Sequence, residues 1–153
     1  MGSRSDAGLV QPCLDMLREL GIPFEVRVLS AHRQPEEVRE YGLLARDRGL
    51  EVLIGAAGMA GHLPGVMASW TILPVIGLPL ATSELSGMDS LLSVVQMPSG
   101  VPVATVAIGG AKNAAYLAVQ ILALSDGRLA EALTRHKQEM AEAVKAKDSK
   151  LQG

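Results

Sequence analysis

The run "EVLIGAA", Glu51 to Ala57, constrains the fold more than any other stretch. After its first residue it carries no charge, so a strand here has no face to offer to water and must be covered on both sides. "TILPVIGLPL" (Thr71 to Leu80) repeats the pattern, with Pro74 placed at its beginning, where a missing N–H is tolerated. "VPVATVAI" is a third such run, and "FEVRVL" (Phe24 to Leu29) alternates as a strand does. Helical patterns separate them. Leu9 to Leu20 has helical spacing closed by Gly21, with Pro12 expected in its first turn. "PEEVREYGLLARDRG" has proline and two glutamates at its start and arginines with Gly49 at its end. "MDSLLSVVQM", "KNAAYLAVQILAL" and a polar helix from about Asp126 to Lys147 complete the series.

Apolar strands alternating with helices predict an α/β fold, a parallel sheet between two helix layers. The 153 residues make one such core. Hydrophobic residues are 48% of the chain but aromatics only 3%, so the core is built from Leu, Val, Ile, Ala and Met, with sixteen glycines for close approach and turns. A net charge of −2 gives no footprint for nucleic acid. No apolar run reaches the roughly 18 residues of a membrane span, and no signal segment opens the chain. Cys13 is alone, which excludes a disulfide framework and zinc spacing and predicts a buried, inert thiol in a cytoplasmic protein.

In parallel sheets ligands bind where strands lead into helices. Five loops qualify: "MGSRSD", "SAHRQP", "AAGMAGHLPG", "ATSELSG" and "IGGAKN". In the first, Ser3, Ser5 and the following helix start can hold a phosphate, and Asp6 either caps the helix or takes a sugar hydroxyl. In the second, Ser30 and Arg33 suit the same anion, and His32 can act as general acid and general base. The glycine-rich third loop can lay its backbone against a ligand. Its His62, read alone, favours a structural histidine bonded to nearby backbone over a second catalyst. Ser86-Gly87 can close the pocket, Lys112 and Asn113 start a helix, and His136 is expected at the surface. "MGSRSD" has the character of a strand-to-helix turn with no strand ahead of it: either the sheet lacks that strand or residues upstream of Met1 are absent from this sequence.

The loops "MGSRSD", "SAHRQP", "AGMAGHLPG" and "LSGMDSLLSVVQMPSGVPVATVAI", with "NAAYLAVQIL", stand in the order and spacing of the PurE family of purine biosynthesis. The chain resembles it to about Leu124, most closely its class I. The resemblance implies a flavodoxin-like three-layer α/β/α sandwich whose first strand is missing here, and a catalytic domain over residues 1–125. It implies a homo-octamer, and the terminal helix and tail, 126–153, with Ala, Leu and Met between charges, is expected to pack on a neighbouring subunit. The implied activity moves a carboxylate of 5-(carboxyamino)imidazole ribonucleotide from nitrogen to ring carbon 4, with no cofactor and no metal. The implied alternatives are class II carboxylation of aminoimidazole ribonucleotide and a non-catalytic phosphate-binding relative. By the same resemblance His32 is the catalytic residue, and Ser3, Ser5 and Arg33, with Ser30 nearby, hold phosphate. Asp6 meets the ribose, and the loop through Gly58, Ala60, His62 and Leu63 receives the carboxylate.

Overall fold

The computed structural model describes residues 1–151. A 3-10 turn, Arg4–Asp6, leads into α1 (Ala7–Glu19), followed by α2 (Pro35–Leu44), β1 (Leu53–Ala57), α3 (His62–Ala68), β2 (Val75–Pro79), α4 (Met88–Val95), β3 (Ala104–Thr105), α5 (Ala111–Leu122) and α6 (Gly127–Leu151). The strands form one parallel sheet in the order β1-β2-β3, with β1 and β2 in register from Leu53↔Val75 to Ala57↔Pro79.

The period-2 geometry of a strand sorts the core into two halves. Ala56, Ile76 and Leu78 point to one face and pack with Val10, Cys13 and Leu17 of α1 and Ala114, Ala118 and Val119 of α5. Leu53, Ala57 and Val75 point to the other, against Val38 of α2 and Leu63 and Met67 of α3. This is the covered, three-layer arrangement that the continuous apolar runs require. Cys13 is 2% exposed, and burial pushes its thiol up to about 11, so it packs as a small hydrophobe.

Both fully apolar strands carry a glycine at the same register position, Gly55↔Gly77. A Cβ on Gly55 would stand 2.9 Å from the backbone Cα of Pro64, and one on Gly77 would stand 2.2 Å from Val94. The bare pair is the depression into which α3 and α4 settle.

Several local expectations are corrected. Phe24–Leu29 is extended but is not a strand of the sheet, because only Met1 pairs with it. The Met1 amine donates to the Arg27 carbonyl, and the Leu29 amide donates to the Met1 carbonyl. An Arg48–Glu25 contact at 2.6 Å ties this segment to the end of the α2 region and holds the Glu25 carboxyl below its usual range. "VPVATVAI" contributes only two residues to the ladder. Pro12 is the sixth residue of α1, beyond the first turn; the carbonyl it leaves without a donor belongs to exposed Gly8, where water can reach it. His136 is half-buried and stacks on Tyr116, with ring centroids 4.7 Å apart, because α6 lies along α5. That last helix runs four residues past Lys147; Gln152 and Gly153 lie outside the described residues. Among the described residues no helix is long and apolar enough to cross a membrane.

Gly55→Ala tests the seat of α3. Because the obstructing atom is backbone, the methyl cannot be accommodated by a rotamer change, and a loss of about 1–3 kcal/mol is expected, read as a lower denaturant midpoint at unchanged slope.

Candidate active site

Every loop singled out above lies at the carboxyl end of the sheet or beside it, and specific contacts join them. The Gly2 amide donates to the Ala56 carbonyl at 3.0 Å, which docks the N-terminal turn on the end of β1. Within that turn the Ser3 amide donates to Asp6 Oδ2 (2.9 Å), and the Ser5 amide and hydroxyl both donate to Ser3 Oγ (3.3 and 2.8 Å). Asp6 is 5% exposed, so its carboxylate serves this capping box, while the two serine hydroxyls remain at the mouth of the turn.

Leu29 is buried and Ser30 half-buried, which anchors the next turn. The amide and Nε of Arg33 both donate to Ser30 Oγ, each at 3.3 Å, and the Gln34 amide donates to the Ser30 carbonyl. His32 and Arg33 are exposed, so the turn presents an imidazole and a guanidinium from a fixed base.

The glycine loop after β1 is shaped by steric demand. Gly58 packs so closely against Thr82 that a Cβ would overlap its hydroxyl oxygen, 1.6 Å away. Met59 and Gly61 adopt left-handed backbone (φ 52° and 54°), a conformation costly for methionine and natural for glycine. A Cβ on Gly61 would stand 3.1 Å from the backbone of Ser90. Ser90, fully buried, donates its hydroxyl to the Ala57 carbonyl at 2.7 Å and so pins the start of the loop. Ser86 and Gly87 are also left-handed (φ 52° and 88°), turning the chain into α4.

α3 begins at His62, and its ring meets His32: Nε2 of His32 lies 2.6 Å from Nδ1 of His62, with ring planes at 78°. His62 is therefore not spent on nearby backbone; it faces the other loop histidine across 30 residues of chain. One ring must donate and the other accept, which fixes a tautomer relationship between them. Gly58 and Ala60 line the same loop, Ala60 exposed and Gly58 half-buried. Leu63 is different: at 3% exposure its side chain belongs to the core. Thr82 and Ser90 were not singled out in the sequence; a threonine after an apolar run and a serine in a short helix carry no signal until the fold brings them to the glycine loop. Among the described residues no group of three or more His, Cys, Asp or Glu is gathered for a metal ion.

A family model described as AIR carboxylase matches residues 1–143. The chain belongs to the AIR carboxylase family. It is 50% identical over 152 residues to the N5-carboxyaminoimidazole ribonucleotide mutase of Pyrococcus horikoshii, covering 99% of this chain and 86% of that one. It is 54% identical to the mutase of the same name from Mycobacterium leprae, covering 99% and 89%. The crystal structure of Treponema denticola PurE superposes with a TM-score of 0.88 at 31% identity, covering 100% of this chain and 96% of that one. In this family member the two histidines meet at the carboxyl end of the sheet, where the N-terminal turn docks on β1.

The Gly58–Thr82 contact can be tested by a double-mutant cycle. Gly58→Ala alone is expected to lower Tm by several degrees (about 2–4 °C per kcal/mol for a chain of this size), and adding Thr82→Gly is expected to restore most of it. Additive losses would break the assigned contact.

Proposed function

We propose that this chain is an N5-carboxyaminoimidazole ribonucleotide mutase of purine biosynthesis, an isomerase that moves a carboxylate from the exocyclic nitrogen to ring carbon 4. One observation carries the reading for these particular residues. The His32–His62 contact brings the "SAHR" turn onto the glycine loop, which supports placing one imidazole between the turn assigned to the phosphate and the loop assigned to the carboxylate. The names and roughly half identity of nearly full-length relatives support the same activity.

The chemistry asks little beyond binding and proton management. As the N–CO2 bond breaks, the exocyclic nitrogen takes a proton and carbon dioxide is freed; as carbon 4 attacks that carbon dioxide, it gives its proton up. His32 is assigned both transfers, donating to nitrogen and then accepting from carbon, so the enzyme ends as it began. Arg33, Ser30, Ser3 and Ser5 are assigned the phosphate, and Asp6, with Oδ2 accepting from the Ser3 amide, is assigned the ribose through its other oxygen. Binding energy from these remote groups holds the ring where the transfers occur. Gly58, Ala60, His62 and the Leu63 backbone are assigned the carboxylate, their exposed N–H groups covering it during migration.

Direct carboxylation of aminoimidazole ribonucleotide is the second reading, retained because the matching family model carries that description. Turnover of the carboxyamino substrate beside aminoimidazole ribonucleotide plus bicarbonate separates the two. The mutase reading extends to a cytoplasmic homo-octamer. It is supported by an exposed apolar stripe on α4, Met88, Leu92 and Val95, and by exposed Met140 and Val144 on α6, the helix assigned to the neighbouring subunit.

His32→Asn is expected to lower kcat by about 10²–10⁴-fold while substrate still binds by calorimetry; retained turnover would remove His32 from the mechanism. Light scattering is expected to give the mass of eight chains, and a monomer would sink the octamer.

A further inference from the structure

Gly58 and Gly61 close a tight turn, the Gly61 amide donating to the Gly58 carbonyl at 3.0 Å, with Met59 and Ala60 at its tip. Both ends of that turn are hemmed in. A Cβ on Gly58 would overlap Thr82, and one on Gly61 would stand 3.1 Å from the Ser90 carbonyl oxygen and from Val94. The tip cannot relax by shifting its ends, and Met59 is held at φ 52°. Glycine takes that conformation freely, whereas a side chain there crowds its own carbonyl oxygen. Packing does not compensate within the chain: the Met59 side chain is 63% exposed and belongs to neither half of the core. Strain of this kind persists where function uses the residue.

The neighbours of Met59 narrow that use. Gly58 and Ala60 flank it, both assigned to the migrating carboxylate, and three residues on His62 opens α3 and meets His32 at 2.6 Å. Once the N–C bond has broken, the migrating group is carbon dioxide, a neutral molecule. Donors that grip a carboxylate through its charge lose most of their hold on it. Between the two bond events, bulk has to retain what charge no longer does. A methionine suits that task, being apolar, unbranched and adaptable through three rotatable bonds.

We propose that Met59 is the retaining residue of this site: an apolar arm on a fixed turn that lies over bound substrate and keeps freed carbon dioxide against the ring. The inference rests on the mutase reading and adds a residue to it. As the N–CO2 bond breaks, its electron pair stays on nitrogen, which takes a proton from His32. Recapture forms the bond from carbon 4 to carbon dioxide with ring electrons, and the displaced proton returns to His32. When carbon dioxide escapes instead, aminoimidazole ribonucleotide leaves and His32 regains its proton from water. Met59 acts on the ratio of these two outcomes and on neither bond.

The test turns over carboxyamino substrate labelled with carbon-13 in its carboxylate, in unlabelled bicarbonate, with loss in enzyme-free buffer subtracted. The 153-residue chain is compared with Met59→Gly, Met59→Gln and Met59→Leu. Aminoimidazole ribonucleotide released per 4-carboxy product, and label kept in that product, are the readouts. Met59→Gly is expected to release at least about fivefold more at a KM within about twofold. Its Tm is expected to rise by roughly 1–3 °C as the strain is relieved. Met59→Gln, as long but hydrated, is expected to leak as well, and Met59→Leu to retain the label. Equal release from all four chains overturns the proposal and leaves the activity standing. A fall in Tm for Met59→Gly overturns it too, since the side chain would then be packed already. So does a lower solution mass for that variant, which would assign Met59 to a subunit contact. If the unaltered chain makes no 4-carboxy product, the mutase reading itself has failed and the proposal falls with it.

Discussion

The contact of Pro64 with the bare backbone of Gly55 sets the position of α3, and through it much of the site. Pro64 is the third residue of a seven-residue helix that starts at His62. A helix this short is held by packing rather than by its own hydrogen bonds. Where Pro64 seats, His62 follows within one turn, and the meeting with His32 depends on that placement. The glycine pair Gly55↔Gly77 thus does its work on the side of the sheet opposite α1 and α5, where a methyl on Gly55 would lift α3 with its His62 and one on Gly77 would collide with Val94 of α4.

The polar groups of the site divide into those that face outwards and those that hold the loops. Ser90 and Asp6 hold loop backbone by hydrogen bonds and Thr82 packs on bare Gly58, while His32, Arg33, Ser5 and His62 are exposed. Preorganised in this way, the exposed groups pay little ordering cost when a ligand arrives. The two left-handed non-glycine residues among the described ones, Met59 and Ser86, lie in the loops that follow β1 and β2, beside left-handed Gly61 and Gly87, where the chain must reverse tightly between strand and helix.

The parallel sheet was legible because "EVLIGAA" and "TILPVIGLPL" leave a strand no other way to be buried. Loop chemistry was legible because strand ends fix where ligands go, so His32, Ser30, Arg33 and the serines of the first turn could be grouped before any contact was seen. What failed was pairing. "FEVRVL" has a strand's alternation, but a strand exists only with a neighbour, and alternation in one segment says nothing about its neighbour. Pro12 was placed by local preference, without the knowledge that its orphaned carbonyl lies on a wet face. His136 was judged by its charged neighbours in sequence, whereas its surroundings are set by Tyr116, twenty residues away. The partnership of His32 and His62 had no local signal, since it is created by the docking of α3.

A gap between β1 and the extended segment Phe24–Leu29, floored by Cys13 and Leu17 of α1 and Leu63 and Met67 of α3, separates two parts of the molecule. Residues 20–34, which carry His32, Arg33 and Ser30, lie on its far side and are joined to β1 through Met1 and Gly2 and through side chains rather than through a shared ladder. Cooperative units in proteins part along such lines of sparse backbone bonding. Half of the candidate site therefore rides on one unit and half, with His62 and the glycine loop, on the other. The distance between the two imidazoles is accordingly a property of the seam between the units, and whatever stiffens or loosens that seam tunes the site without touching a residue in it.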